Sequence, residues 1–429
     1  MNGPALCRRW PSNATVRSRA LMLAMAMAIT SVLPFASAPD AAAAPLPQEG
    51  AADCKQTSPA YVPNAPPGPA AMNIDAAWAY SKGAGVVVAV VDSGVAAGNA
   101  HLAGVVLPGA DMVAKTDGTT DIAGIGTAIA GLVASQPVGG SGLVGIAPHA
   151  RILPVRVYEA LTTAGRPAGF EPALPSASAT ARGITWAADH GARVIVVPTV
   201  FTDDSDALRQ ATQHAHDVGA LVVAPVGDIP RSGTTGEPDM APRYPAGYPG
   251  VLGVTGVDVS GQPAAGIVQN NTVMLAVPGA GIVATFFALG DCTVTGDAPS
   301  SVFASGYAAG LAALVAARFP QETPDQWAYR LMVTAVRPLP AQRDDAVGWG
   351  LAAPVPALTF IDDGRALGPP NPVRSAPAAA SPSPVPEVTK PDTGLPRKDV
   401  IAIAACAALA CVTALLAPLL MARGRRRSD

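Results

Sequence analysis

Runs of small and β-branched apolar residues alternate with stretches of helical spacing, and this alternation constrains the chain more than any other feature. The apolar runs lie at 85–91, 104–112, 151–157, 192–198, 221–225 and 251–257. Helical stretches lie at 74–81, 126–135, 176–190, 204–218, 303–318 and 324–334. A strand that is apolar throughout must be covered on both faces, and helices between strands return the chain for parallel pairing. The expected fold is therefore α/β, three layers with a mostly parallel sheet between helices. Residues 72–360 supply a core large enough to need neither a metal nor a disulfide framework, and no metal or cofactor is expected. No internal repeat is present.

The ends carry a different chemistry. Arg8, Arg9, Arg17 and Arg19 precede an apolar run at 20–35, followed by Ala36-Ser37-Ala38 and the alanines at 41–44. A basic region, a short apolar stretch and small residues make a secretory signal, assigned to 1–44. Cleavage falls between Ala38 and Ala44, where Pro39 and Pro45 disfavour two of the bonds. The alternative is a first membrane helix, for which the run is short. Residues 45–71, rich in Pro and Ala, read as an extended arm, and 361–398, dense in Pro, Ala and Ser, as a semi-rigid spacer. Residues 400–422 are free of charge and long enough to cross a bilayer, which places a single membrane helix at 399–422. Lys398 and Asp399 precede it, and Arg423, Arg425, Arg426 and Arg427 follow. Such a cluster belongs on the cytoplasmic side, so 423–429 is a cytoplasmic tail and the body lies outside the cytoplasm. The net charge of −3 and the lack of a central basic stripe exclude nucleic acid as a partner.

Cys7 falls in the signal, and Cys406 and Cys411 fall in the membrane segment. Cys54 and Cys292 remain in an oxidising compartment, where the one intramolecular pairing left is with each other. The alternative is two free thiols.

Five segments, in order, stand out by their motifs. VVVAVVDSGV ends an apolar strand in Asp92-Ser93-Gly94, and the ends of buried parallel strands are where α/β sheets carry reactive groups. DIAGIGTAIAGLVAS leads into GLVGIAPHARILPVRV, with Ile125 inside a small-residue helix start. ALVVAPVGD ends in Asp228. YPAGYPGVLGVTGVD carries no catalytic group. SSVFASGYAAGLAALVAARFP opens a long helix with Ser300, Ser301 and Val302.

These segments resemble those of subtilisin-like serine proteases, and the complete layout resembles that of mycosins, membrane proteases of type VII secretion. Asp92 matches the aspartate that orients the catalytic histidine. Gly124, Gly126, Thr127, Ala130 and Gly131 match the histidine block, but the histidine position is Ile125, which cannot accept a proton. The oxyanion asparagine position is Asp228, whose carboxylate would repel the developing charge. Phe303, Ala304, Tyr307 and Gly310 match the nucleophile helix, yet the serine position is Val302 and the family's proline is Gly306. His101 resembles a non-catalytic histidine that follows this strand in subtilases. Ser300 or Ser301 with His149, His190, His214 or His216 would have to form a relocated triad. Buried without an imidazole, Asp92 is left with Ser93 and backbone N–H groups as donors, and burial should raise its pKa unless they compensate.

The resemblance thus implies a membrane-anchored pseudoprotease, a structural or binding component of a type VII secretion membrane complex. The alternative is an active serine endopeptidase with unorthodox groups. A third reading is a module that captures a peptide segment in the degenerate cleft without cutting it.

Overall fold

In the computed structural model the residues described are 54–163, 171–227, 240–264, 266–374, 401–412 and 414. The strands are β1 (Val87–Asp92), β2 (Ala110–Asp111), β3 (Arg151–Arg156), β4 (Val194–Val196), β5 (Leu221–Pro225), β6 (Leu252–Val257), β7 (Leu275–Pro278), β8 (Val283–Thr285) and β9 (Asp291–Thr293). The helices are α1 (Pro67–Ala71), α2 (Ile74–Ala77), α3 (Ile125–Ala134), α4 (Ala177–Asp189), α5 (Asp206–Asp217), α6 (Ser301–Arg318), α7 (Pro324–Val333) and α8 (Pro354–Thr359).

Among the described residues seven strands form one sheet in the order β2-β3-β1-β4-β5-β6-β7. Every neighbouring pair is parallel, with Val88 opposite Ile152 on one side and Val194 on the other. The continuous apolar run of β1 resolves into two faces of period two. Val88 and Val90 join the core under α3 and α6, while Ala89 and Val91 join the core under α4 and α5. Burial of each valine stabilises by about 2 kcal/mol, which explains why β1, β4 and β5 hold no polar residue before their ends.

Glycines set the helix spacing where it is closest. A Cβ on Gly183 of α4 would lie 2.6 Å from Val157 Cγ1 and 2.9 Å from Val91 Cγ1. A Cβ on Gly306 of α6 would lie 3.0 Å from Leu132 Cδ1, so α6 runs directly against α3. Side-chain caps fix where the helices start. Ser176 accepts from Ala179 N, Ser205 from Leu208 N, and Thr323 forms a reciprocal box with Gln326.

Several elements depart from the sequence reading. The run at 104–112 yields only the two residues of β2, because Gly104 turns the chain at a φ of 75° and Pro108 has no N–H for a ladder. The helix expected at 74–81 stops at Ala77, and 78–80 continue as a turn. The arm contains α1. Three short strands, β7 to β9, and α8 were not anticipated; segments this short show no usable period. Past 360 the chain stays against the body: Arg337 Nη2 donates to Leu367 O at 3.0 Å, and within the segment Asn371 Nδ2 donates to Asp362 Oδ2 at 2.8 Å. Residues 361–374 are thus bound to the body, not part of a free spacer.

Within the expected membrane span, Ile401–Val412 is helical and exposed. Residues 415–422, the expected signal at 1–44, most of the spacer and the tail at 423–429 lie outside the described residues. Helix α6 also has the length and apolarity of a membrane span, but 83% of it is buried, as befits a core helix. Cys54 and Cys292 are joined in a disulfide with a Cα–Cα distance of 5.6 Å. It ties the arm to β9, closing a loop of 238 residues.

Candidate functional site

Parallel strands end along one edge, and the site is built there from the end of β1 and the first turns of α3 and α6. Gly94, at a φ of 99°, lets the chain leave β1 sharply; a Cβ there would sit 2.2 Å from Thr120 O. The Ser93 hydroxyl accepts from Gly126 N at 3.0 Å and so pins the strand end to α3. Asp121 organises the same helix start. Its Oδ1 accepts from Ala123 N at 3.0 Å and Gly124 N at 2.8 Å, and its Oδ2 from Thr127 N at 2.9 Å and Thr127 Oγ1 at 2.6 Å. The sequence reading gave Asp121 no role, although an acidic residue just before an apolar helix signals a start.

Asp92 is fully buried. Tyr158 Oη donates to its Oδ1 at 2.8 Å, Ser93 Oγ to the same oxygen at 3.1 Å, and Thr199 Oγ1 to Oδ2 at 3.1 Å. Ser93 was expected as a partner; the hydroxyls of Tyr158 and Thr199 come from loops distant in sequence and were not. Burial pushes the Asp92 carboxyl up to about 6, against the lowering by the Ser93 backbone and Tyr158 hydrogen bonds. Burial also raises the Asp121 carboxyl, and it raises the Tyr158 hydroxyl well above its usual range, with the Asp92 charge adding to it. Desolvation wins over the donors.

The other expected positions are apolar or committed elsewhere. Ile125 is the first residue of α3, partly buried and packed against the core. Val302 is the second residue of α6, also partly buried. Ser300 caps α6, accepting from Phe303 N at 3.4 Å. Ser301 Oγ is buried with no hydrogen-bond partner among the described residues. Asp228 lies outside the described residues.

The chain has five histidines, and each is engaged or located away from Asp92. His190 stacks on Trp186 at 3.8 Å between ring centroids, His214 pairs with Asp189 at 2.7 Å and His216 with Asp325 at 3.1 Å. His149 is exposed beside Lys82. His101 is buried, with Nε2 2.8 Å from Asp291 Oδ2 and Nδ1 2.8 Å from Gln136 O.

Ser141, Asp291 and His101 therefore meet, but in the wrong order for a relocated triad. Ser141 Oγ donates to Asp291 Oδ2 at 2.5 Å, so the carboxylate stands between serine and imidazole. A serine is activated only when the imidazole is its direct partner. A groove of about 730 Å³ between α4 and α5, lined by Met112, Arg182, Trp186, Asp189, Gln210 and His214, contains none of the residues of the β1 edge.

Comparison with known proteins agrees with this geometry. The model of the subtilase family, Peptidase S8, matches residues 83–350. Mycosin-3 of Mycobacterium tuberculosis is 33% identical over 435 residues, covering 90% of this chain and 89% of that protein. Thermitase of Thermoactinomyces vulgaris is 32% identical over 264 residues, covering 60% of this chain and 86% of that protein. The solved MycP3 protease from the type VII (ESX-3) secretion system superposes with a TM-score of 0.59 at 32% identity, covering 71% of this chain and 91% of that one. A chain of an intact ESX-5 inner membrane complex superposes with a TM-score of 0.61 at 25% identity, covering 86% of this chain and 93% of that one. The chain belongs to the subtilase family, and within that family it is a homologue of the mycosins.

Proposed function

We propose that this chain is a mycosin-like pseudoprotease that serves as a structural or binding component of a type VII secretion membrane complex. One observation carries the reading. The buried carboxylate that would orient a catalytic histidine is occupied by three hydroxyls, from Ser93, Tyr158 and Thr199. Ile125 and Val302 stand at the two helix starts that would present the base and the nucleophile. Without both, a subtilase loses the proton transfer and the covalent step, and no neighbouring serine–histidine pair replaces them among the described residues. The likeness to a chain of an intact ESX-5 inner membrane complex supports the assignment to such an assembly.

The domain sits on the extracytoplasmic face, held by a single helix at 399–422 with the arginine-rich tail inside; the apolar helix at Ile401–Val412 supports this arrangement. The experiment is twofold. A fluorophosphonate probe should leave the purified chain unlabelled, and the double variant Ser300→Ala/Ser301→Ala should restore secretion in a deletion strain as well as the wild type. Covalent labelling that disappears in the double variant would establish an active peptidase instead.

A further inference from the structure

Residues 361–374 close on themselves. Asn371 Nδ2 donates to Asp362 Oδ2 at 2.8 Å, and Arg374 Nε lies 4.0 Å from the same carboxylate oxygen. The far end of this loop meets the segment after α7, where Arg337 Nη2 donates to Leu367 O at 3.0 Å. Residues 336–340 and 361–374 thus form one surface. Val336, Leu339, Ile361, Leu367 and Val373 stand on it, between 57% and 84% exposed. The other large apolar side chains exposed on the described body are Tyr80, Leu161, Leu174, Val218 and Val259. These are spread over the connections that follow α2, β3, α5 and β6. Single exposed apolar groups are ordinary; five gathered on one face mark a surface that something covers.

The charges and the chain path indicate what covers it. Residues 336–348 and 361–374 hold four arginines and four aspartates, so the face has no net charge. Each aspartate already has a donor. Asp344 accepts from Ala346 N at 2.7 Å, Asp362 from Gly364 N and Asp363 from Arg365 N, both at 3.0 Å, and Asp345 pairs with Arg343. The Arg365 side chain makes no hydrogen bond or ion pair among the described residues. The face therefore offers apolar side chains and one free guanidinium, the mixture that suits a phospholipid surface: apolar groups enter the acyl boundary and the cation stays at the phosphates. The same loop is where the chain leaves the body. Residues 375–398 lie between Arg374 and the expected membrane helix at 399–422, and they reach at most about 80 Å when fully extended. This face is thus the part of the body nearest the bilayer along the chain. A tether of that length keeps its local concentration at the surface high, so a contact too weak to hold a free domain suffices here.

We propose that this face docks the domain on the extracytoplasmic surface of the lipid bilayer, with Leu339, Leu367 and Val373 in the acyl boundary and Arg365 at the phosphates. The proposal rests on the membrane-anchor reading given above and adds to it that the domain lies on the membrane. Because the charges of the face balance, the hold is apolar. It depends neither on anionic headgroups nor on low salt, unlike the hold of a polybasic surface.

The test uses the full chain in phosphatidylcholine vesicles, carrying Cys7→Ala, Cys406→Ala and Cys411→Ala with the Cys54–Cys292 disulfide intact. A nitrobenzoxadiazole label on Leu367→Cys reports depth through quenching by lipids that bear a nitroxide on the acyl chain; the same label on Val218→Cys, at the end of α5, is the control. The label at 367 should be quenched several-fold more strongly than the label at 218. Added phosphatidylglycerol or raised salt should leave that ratio unchanged, and Leu339→Asp/Val373→Asp should bring it close to one. Equal quenching at 367 and 218 would overturn the proposal. So would a label at 367 that is shielded from iodide in the water yet untouched by the lipid quencher, since a protein contact would then cover the face. A high-salt and alkaline wash of the same vesicles decides the anchor separately. A chain retained without quenching at 367 refutes the docking and keeps the anchor; a chain washed off after strong quenching at 367 does the reverse.

Discussion

Asp92→Asn should stabilise this protein at neutral pH, against the habit of reading a strand-end aspartate as essential. The Asp92 carboxyl moves from 3.8 to about 6 on folding, chiefly through burial. A raised carboxyl means that the folded state binds the proton more tightly than the unfolded chain. Stability is then greatest below about pH 4 and falls as pH rises towards 6, after which the full cost is present. A shift of about two units corresponds to about 3 kcal/mol at pH 7. Asparagine removes that cost without orphaning a donor. Its Oδ1 still accepts from Tyr158 and Ser93, and its amide points at Thr199 Oγ1, a hydroxyl that accepts as readily as it donates. The expected gain is about 1–3 kcal/mol at pH 7, or several degrees in Tm. The assay is thermal unfolding of the full chain in mild detergent between pH 3.5 and 7.5. The wild type should lose stability across about pH 4–6, and Asp92→Asn should reduce that slope, leaving the contribution in the same direction from Asp121. A variant less stable than the wild type at pH 7, or two parallel pH profiles, would refute the reasoning. Loss of secretion by a stable Asp92→Asn protein would mean that the carboxylate itself has a function.

Two further outcomes follow from the hydrogen-bonding state of polar side chains. Tyr307 Oη has no hydrogen-bond partner among the described residues, and its ring packs against Gly68. Tyr307→Phe should therefore raise stability by about 1 kcal/mol, and a loss of that size in the same unfolding assay would show a partner for the hydroxyl. Arg337 donates to Met332 O at 2.9 Å, Trp349 O at 3.0 Å, Pro340 O at 2.8 Å and Leu367 O at 3.0 Å. Arg337→Ala should cost about 2 kcal/mol and speed tryptic cutting at Arg365; Arg337→Lys should not rescue it, because one ammonium cannot span the fork. Unchanged cutting would show that residues 361–374 are held by other contacts.

The legible part of this chain was the part with a period. Apolar runs at 221–225 and 251–257 became β5 and β6 nearly residue for residue, because a strand buried on both faces cannot hide its composition. Helices α4 to α7 were legible by their spacing, and the structure shows what fixes their starts: the side chains of Ser176, Ser205, Ser300 and Thr323 satisfy N–H groups that no helix can satisfy internally. The short pieces were not legible. β7 to β9 owe their existence to neighbours, with β7 paired to β6 and β8 to β9, and nothing in three or four residues announces that.

The site divides in the same way. That Ile125 cannot be a base and Val302 cannot be a nucleophile is fixed by the side chains themselves, whatever their surroundings. What surrounds Asp92 was decided only by the fold. Tyr158 and Thr199 stand 66 and 107 residues away in sequence and reach the carboxylate because β3 and β4 flank β1 in the sheet. The same holds for the contact between His101 and Asp291, residues 190 apart. A sequence carries the identity of each group. Its protonation and its partners depend on the atoms that packing brings within about 3 Å of it, and these are set by the tertiary structure.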